Sequence, residues 1–544
     1  MKRLALFLLL ATAAAQTAPD ARFAPGYNRI REQDLRADLT FLACDALEGR
    51  MSLQPGSEAA IEWIAAEFAK AGLKPAAGNS YFQAVPLIEY HTDPAASRVA
   101  LERGGKMQSF EYFKDFYGGF PYDRTVRGPV VFAGYGITAP EFNYDDYSGL
   151  DARGKIVLIF DHEPQETDPG SVFNGVGNTR HANARLKTLN AQRHGAIGVL
   201  LAPEPNRKHP SNIERLARIP GFMERFQKMP SQAIAESEVK IPLYNISDAV
   251  ANQLLATAGK TPAELQSSID STLKPASMPL PDTVVEMTIA NASTRRGTTR
   301  NVVGLLEGSD PALKADTIVY SGHFDHDGAR DGKIFHGADD NGSGTVGVVE
   351  LARAFAANPA RPKRSLLFVV FAAEERGLLG SYYYAAHPLR PLETTRAVIN
   401  FDMIGRNEAP STQTEGLTQI SPDTSNELGL IGANYSPDYR AAVEAANRAI
   451  GLRLTYKWDD DAALNVFQRS DQFPFALHDV PAVWWFTGFH PDYHQPSDTV
   501  EKINFTKMAN ILRLAYLTGW RFADEAANPR FLPAKQDPRG SGDR

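Results

Sequence analysis

The sequence predicts an α/β fold: a mostly parallel central sheet covered by helices on both faces, with a smaller α/β unit inserted in it. Three observations carry that reading. From about residue 284 of the 544, short apolar runs alternate with helical patterns, as strand–helix crossovers do. The runs are continuously apolar, as strands buried on both faces require. Each run that reads clearly as a strand also ends in His, Asp or Glu, which puts polar chemistry at one edge of the sheet. A hydrophobic content of 43% is enough to fill a large core.

Residues 1–15, MKRLALFLLLATAAA, begin with Lys2 and Arg3, continue in an apolar run and end in small residues at Ala13 and Ala15. That is the pattern of a cleaved signal peptide, and the run is too short to span a bilayer. The mature chain is therefore expected in the periplasm or outside the cell, soluble and without a membrane span. Loss of the two cations takes the formal net charge from −7 to −9 and argues against nucleic acid as a partner. Cys44 is the sole cysteine, so no internal disulfide forms; it reads as a small buried residue.

Two amphipathic helices follow, in "DLRADLTFLACDAL" and "SEAAIEWIAAEFAKAGL". A middle block holds buried strands in "GPVVFAGYGI" and "GKIVLIFDHEP", a helix–turn–strand in "NARLKTLNAQRHGAIGVLLAPEP", and a strand with a capped helix in "IPLYNISDAVANQLLATAG". The Pro-rich "LKPASMPLPDT" closes it. Beyond lie "RNVVGLLEG", "ADTIVYSGHFD", "RSLLFVVFAAEE", "RAVINFDMIG" and "DVPAVWWFTGFH", with helices between them and a final helix in "FTKMANILRLAYLTGWRFAD". The tail from Asn528 is polar and expected to be mobile.

The strand ends deliver His323 and Asp325, then Glu374 and Glu375, then Asp402, then His490, Asp492 and His494. The loop "GADDNGSG" adds Asp339 and Asp340 before a helix at 344–357 that Ser343 alone would cap. Each motif has a plain structural reading by itself: a surface His–Asp pair, an acidic first helical turn, a capping Asp. Trp484 and Trp485 read as core and wall. Five motifs at one edge need a counter-charge. Imidazole and carboxylate without cysteine suit zinc or a similar divalent ion. The ligand supply exceeds one site, so two metals sharing one carboxylate fit the count, and the doubled Asp would then be held by two cations.

"SGHFDHDG", "GADDNGSG", "FAAEERGLLGS", "NFDMIGR" and "DYHQPSDT", in that order, resemble the zinc-dependent exopeptidases of the M28 family, which includes bacterial secreted aminopeptidases. "LEGRMSLQPGSEAAIEWIAAEFAKAGLKP" is similar to the family's N-terminal helices, and the middle block to a protease-associated (PA) domain. Between the signal peptide at 1–15 and the flexible tail at 528–544, both read from composition, the resemblance implies a peptidase domain at 22–95 and 283–527 and a PA-like insert at 96–282. It implies two Zn2+ per chain, one held by His323 and Asp402, the other by Glu375 and His494, with Asp340 bridging. Glu374 would be the general base and Asp325 the partner that orients His323.

The implied activity is hydrolysis of peptides at the N-terminus. Rivals are a carboxypeptidase using a cation such as Arg406 or Arg469, a glutaminyl cyclase-like acyltransferase, and a non-catalytic receptor-like member. The insert shows no comparable cluster of acids and imidazoles in its sequence and is expected to shape access to the cleft. Side-chain preference and oligomeric state stay open.

Overall fold

The computed structural model describes residues 20–533 apart from 176, 219–225, 227, 462 and 526–527. The expected signal peptide and the last part of the tail, from 534, lie outside the described residues. Among the described residues no helix is long and apolar enough to cross a membrane.

Strands β1 (Phe82–Thr92), β2 (Ser231–Ile234), β3 (Asn291–Leu306), β4 (Thr317–His323), β5 (Ser365–Phe371), β6 (Thr395–Phe401), β7 (Glu427–Ile431), β8 (Arg453–Thr455) and β9 (Ala482–Phe486) build the larger sheet. Their order is β2-β1-β3-β5-β4-β6-β9-β7-β8, and the short strand Lys74–Pro75 pairs with β3. The centre, β5-β4-β6-β9, is parallel. Antiparallel pairs flank it on both sides, so the whole sheet is mixed.

The continuous apolar runs have the cause expected of them. Ile318 and Tyr320 of β4 face one core while Val319 faces another, and β5 divides in the same way between Leu366, Phe368, Val370 and Leu367, Val369, Phe371. Helices Glu32–Leu42, Pro55–Lys70, Gly344–Ala357, Pro437–Asn447 and Phe505–Asp524 cover the first face. Leu379–Ala386 and Phe473–Ala476 cover the other. The last helix lays Met508, Ile511, Leu512, Ala515 and Tyr516 into the core at three- and four-residue spacing, and Asn504 caps it through the Lys507 N–H at 3.1 Å. Cys44 is half-buried against the same core.

A second sheet of eight strands has its own core, which includes Phe132, Leu158, Leu200 and Val285. Its strands Arg124–Phe132, Ile156–Phe160, Gly198–Ala202 and Leu243–Ile246 run parallel to one another. Two details cut across the expected division at 96–282. The strand Met278–Ile289 belongs entirely to the second sheet, so a boundary at 283 falls inside it. The second half of the Pro-rich stretch read as a connector, from Met278, is the start of that strand, continued through an irregularity between Pro279 and Val284. Conversely β2, from within the expected insert, adds itself to the edge of the larger sheet beside β1.

The helix expected over "DLRADLTFLACDAL" stops at Leu42, and Asp45–Arg50 turns through positive φ at Glu48, Gly49 and Arg50. The tail is held at its start rather than free: Leu532 N donates to the Tyr435 carbonyl at 2.7 Å, and the Phe531 ring stacks on Tyr435 with centroids 5.7 Å apart. Polar composition masked that single aromatic anchor.

Candidate metal centre

Because β5, β4, β6 and β9 are parallel neighbours, whatever follows their last residues meets at one edge. His323 closes β4, Glu374–Arg376 forms one tight turn beyond β5, Asp402 follows β6, and His490 and His494 lie in the loop after β9. The loop 338–343 is tied to the same edge by Asn341. Its Nδ2 donates to the Phe401 carbonyl at 2.9 Å, and its Oδ1 accepts from Gly344 N at 2.9 Å and Met403 N at 3.2 Å. Asn341, not Ser343, therefore serves the first N–H of helix 344–357. Ser343 Oγ instead donates to the Asp339 carbonyl and accepts from Ile404 N. Gly344 permits this approach, since a Cβ there would lie 2.4 Å from the Phe401 carbonyl oxygen.

Two groups of donors share Asp340. His323 Nε2 lies 3.5 Å from Asp402 Oδ1 and 3.8 Å from Asp340 Oδ1. His494 Nε2 lies 3.2 Å from Asp340 Oδ2 and 3.4 Å from Glu375 Oε2. The two oxygens of Asp340 thus face different groups. Glu374 Oε2 approaches His323 Nε2 at 3.6 Å and belongs to none of the three compact donor groups here, His323 with Asp340 and Asp402, His326 with Asp340 and Glu375, and Asp327 with Glu375 and His494.

The neighbours that orient these side chains differ in part from expectation. His323 Nδ1 donates to the backbone carbonyl of Asp325 at 3.1 Å, while the Asp325 carboxylate is 3.8 Å away. That carboxylate accepts instead from Glu374 N at 3.0 Å and Glu375 N at 3.3 Å, so it fixes the turn that carries both glutamates. His494 Nδ1 lies 3.0 Å from Asp327 Oδ2, which turns Nε2 inward. His326 Nδ1 lies 2.7 Å from Glu375 Oε1. His326 and Asp327 were missed in the sequence, although "HFDHDG" shows a second His–Asp pair in the same strand end.

Asp339 points away from the centre: its Oδ1 accepts from Gly405 N at 2.7 Å and its Oδ2 faces His490 Nε2 at 3.3 Å. The expectation that two cations hold both adjacent acids is corrected by this geometry. Asp498 Oδ2 accepts from the N–H groups of both Asp339 and Asp340 and sets the loop. Asp471, also missed, is buried, accepts from Ser381 Oγ at 2.5 Å, and is pushed up to about 7 by burial.

The donor set suits zinc. His323 Nε2 is buried without a hydrogen bond, and two imidazoles with three carboxylates are ordinary zinc ligands. Burial raises the Glu374 carboxyl well above the usual range, and Asp402 and Asp471 push the same way. Burial alone would lower His323, but Glu374 and Asp402 outweigh it and raise it.

A cavity of about 260 Å³ opens on Asp340, Glu374, Glu375 and Asp402, with Leu378, Met403, Trp484, Phe489 and Tyr493 in its walls. Trp484 is thus wall and Trp485 core, and Trp484 Nε1 donates to the Asp402 carbonyl at 2.8 Å. A groove of about 750 Å³ continues past Glu375 and His494 to Met229–Gln232. Arg469 lines both spaces. Arg406 is tied to Asp492 at 2.8 Å and lines neither. The second sheet also carries a buried cluster, His162, Glu166, Glu204 and His209, which corrects the expectation that the insert has none.

Comparison with known proteins agrees with this architecture. Residues 301–518 match peptidase family M28 and residues 126–254 match the PA domain. The "Probable lipoprotein aminopeptidase LpqL" of Mycobacterium tuberculosis is 25% identical over 434 residues, 76% of this chain and 70% of that protein. "Aminopeptidase YwaD" of Bacillus subtilis is 28% identical over 253 residues, 45% of this chain and 49% of that protein. The chain therefore spans about half of the second relative's length. The solved aminopeptidase from Aneurinibacillus sp. strain AM-1 aligns with 95% of this chain and all of that chain, at 19% identity and a TM-score of 0.48. The five strand-edge motifs and the shared carboxylate of Asp340 fall within the region, 301–518, that matches peptidase family M28, and the second sheet carries the region, 126–254, that matches a PA domain.

Proposed function

We propose that this chain is a secreted di-zinc aminopeptidase that releases single residues from the N-terminus of peptides. The observation that carries the reading is Asp340, whose two oxygens face two separate His–carboxylate groups. His323 and Asp402 would hold one zinc and Glu375 and His494 the other, with Asp340 common to both. Bound there, the ions would polarise the scissile carbonyl and acidify the attacking water. Glu374 takes the water's proton on Oε2 and returns it to the leaving amine. Its place outside every donor group at the centre supports that role.

The substrate's direction follows from the two spaces. The 260 Å³ cavity is walled by Leu378, Met403, Trp484 and Phe489 and suits one apolar side chain. The longer groove takes the rest of the peptide. An N-terminal residue in the cavity puts its carbonyl over the donor cluster and its free amine among the acids. The relatives' names support the same polarity. Secretion rests on the leader-like residues 1–15.

Arg469, exposed to both spaces, favours one second reading, a carboxypeptidase that clamps a terminal carboxylate. One short peptide offered free, N-acetylated and C-amidated, with products weighed by mass spectrometry, separates the two. Aminopeptidase action survives amidation and fails on acetylation. The reverse pattern establishes the carboxypeptidase. Loss of ammonia or water from an N-terminal Gln or Glu peptide without shortening establishes a cyclase.

A further inference from the structure

We propose that the PA unit binds a structural divalent cation of the zinc class through His162, Glu166, Glu204 and His209. This site is separate from the peptidase centre and does not rest on the function proposed above. Its origin repeats the logic of the larger sheet at smaller scale. Ile156–Phe160 and Gly198–Ala202 are adjacent parallel strands, and the segments that leave their carboxyl ends supply His162 with Glu166 and Glu204 with His209.

The four ligand atoms lie within 4.8 Å of one another. His162 Nδ1 is 2.6 Å from Glu166 Oε1 and 3.2 Å from Glu204 Oε1. His209 Nε2 is 3.1 Å from Glu166 Oε2 and 2.7 Å from Glu204 Oε1. Ligands of a tetrahedral zinc, about 2.0–2.1 Å from the ion, stand about 3.4 Å apart. A slight expansion of this cluster therefore makes room for one ion. Two imidazoles and two carboxylates select zinc or a similar late divalent metal over calcium or magnesium, which take oxygen. Four protein ligands and near-complete burial close the site, as a structural site requires.

The plain alternative is a network in which two protonated histidines pair with two glutamates. Two features point to a shared cation instead. Glu204 is 1% exposed, yet neither of its oxygens makes a hydrogen bond, although Oε1 lies 2.7 Å from His209 Nε2 and 3.2 Å from His162 Nδ1. A buried carboxylate left so is costly, and a shared cation removes the cost. The two rings also stand with centroids 4.1 Å apart, with Lys187 beside them donating to the carbonyls of Phe160 and His162. Each ring aims one nitrogen at the same two carboxylates, the arrangement that a shared cation needs.

The site would brace the substrate cavity. Glu163, next to His162, accepts from Thr179 N at 2.7 Å and Thr179 Oγ1 at 2.5 Å. That segment meets the peptidase sheet's loops: Gln468 Nε2 donates to the Thr179 carbonyl at 3.3 Å and Asn183 Nδ2 to Gln468 Oε1 at 3.1 Å. Gln468 lines the 260 Å³ cavity. An ion at His162 and Glu166 thus fastens the root of a loop that holds a cavity wall.

The test is zinc content per chain, measured by mass spectrometry on the full chain after chelation, reloading with Zn2+ and gel filtration. Wild type should hold three equivalents, and E204Q and H209Q two each. D340A should keep one, which also carries the test if the insert variants do not fold. Two equivalents in wild type, unchanged in E204Q and H209Q, overturn the proposal, as does a D340A chain that holds none. One equivalent in wild type that is lost in E204Q sustains this site and removes the two-zinc peptidase reading instead.

Discussion

Asp340 presents Oδ1 to His323 and Oδ2 to His494, while Asp339 beside it serves Gly405 N and His490. The two substitutions should therefore separate. Asp340→Ala is expected to lose both peptidase-site zincs and all hydrolysis. Asp339→Ala should keep most zinc but lower stability by about 1–3 kcal/mol, because the buried Gly405 N–H loses its acceptor; zinc content and denaturant unfolding read the two effects. Glu374→Gln should leave zinc content unchanged and slow turnover by about two to four orders of magnitude. Loss of zinc in that variant would make Glu374 a ligand. Much of this scale was legible in the sequence, because a strand end followed by His, Asp or Glu needs no tertiary knowledge to be noticed. Which of two adjacent acids turns inward was not legible from spacing. It depends on Asp498, far along the chain, which accepts from the N–H groups of both.

Among the elements, the turn after β5 and the loop after β4 depend on two buried side chains. The Asp325 carboxylate accepts from the N–H groups of Glu374 and Glu375. Asp325→Asn, which keeps the volume but weakens both bonds, should lower zinc affinity or kcat by about 10–100-fold, the usual scale for a residue that positions ligands. A titration of activity against free Zn2+ separates the two. Arg50 reaches further. Its Nε and two Nη atoms donate to the carbonyls of Phe324, Leu42, His336 and Gly337 at 2.7–2.8 Å and pin the N-terminal segment to both loops of the candidate centre. Arg50→Met leaves these buried carbonyls without their donor and should destabilise by about 1–3 kcal/mol or more, seen as a fall in the midpoint of chemical unfolding. The four central parallel strands and the long helices were readable from their periods, whereas the flanking strands at 82–92, 231–234 and 427–431 were not. The extra strand at 278–289 and the docked Phe531 were not, because proline content and polarity look like linker and tail until pairing partners are known.

Over the whole molecule, the PA unit and the peptidase sheet are joined beside the substrate cavity. Tyr435 OH donates to the Asn178 carbonyl at 2.6 Å and accepts from Asn174 Nδ2 at 2.6 Å. Tyr435→Phe removes both bonds from a buried contact and should raise KM for peptides more than it lowers kcat, which steady-state kinetics on one peptide would show. Such contacts lie more than two hundred residues apart in sequence, and no local pattern announces them. The second metal-type cluster was hidden for the same reason: His162 and Glu204 come together only when their strands pair. The proposed chemistry requires Asp340 to stand between two zinc ions. An anomalous difference map at the zinc edge, from crystals of the zinc-loaded full chain, tests it most directly. It should show two peaks about 3.5–4 Å apart, one beside His323 and Asp402 and the other beside Glu375 and His494, with Asp340 between them. A single peak at that edge, or a pair that excludes Asp340, would contradict it.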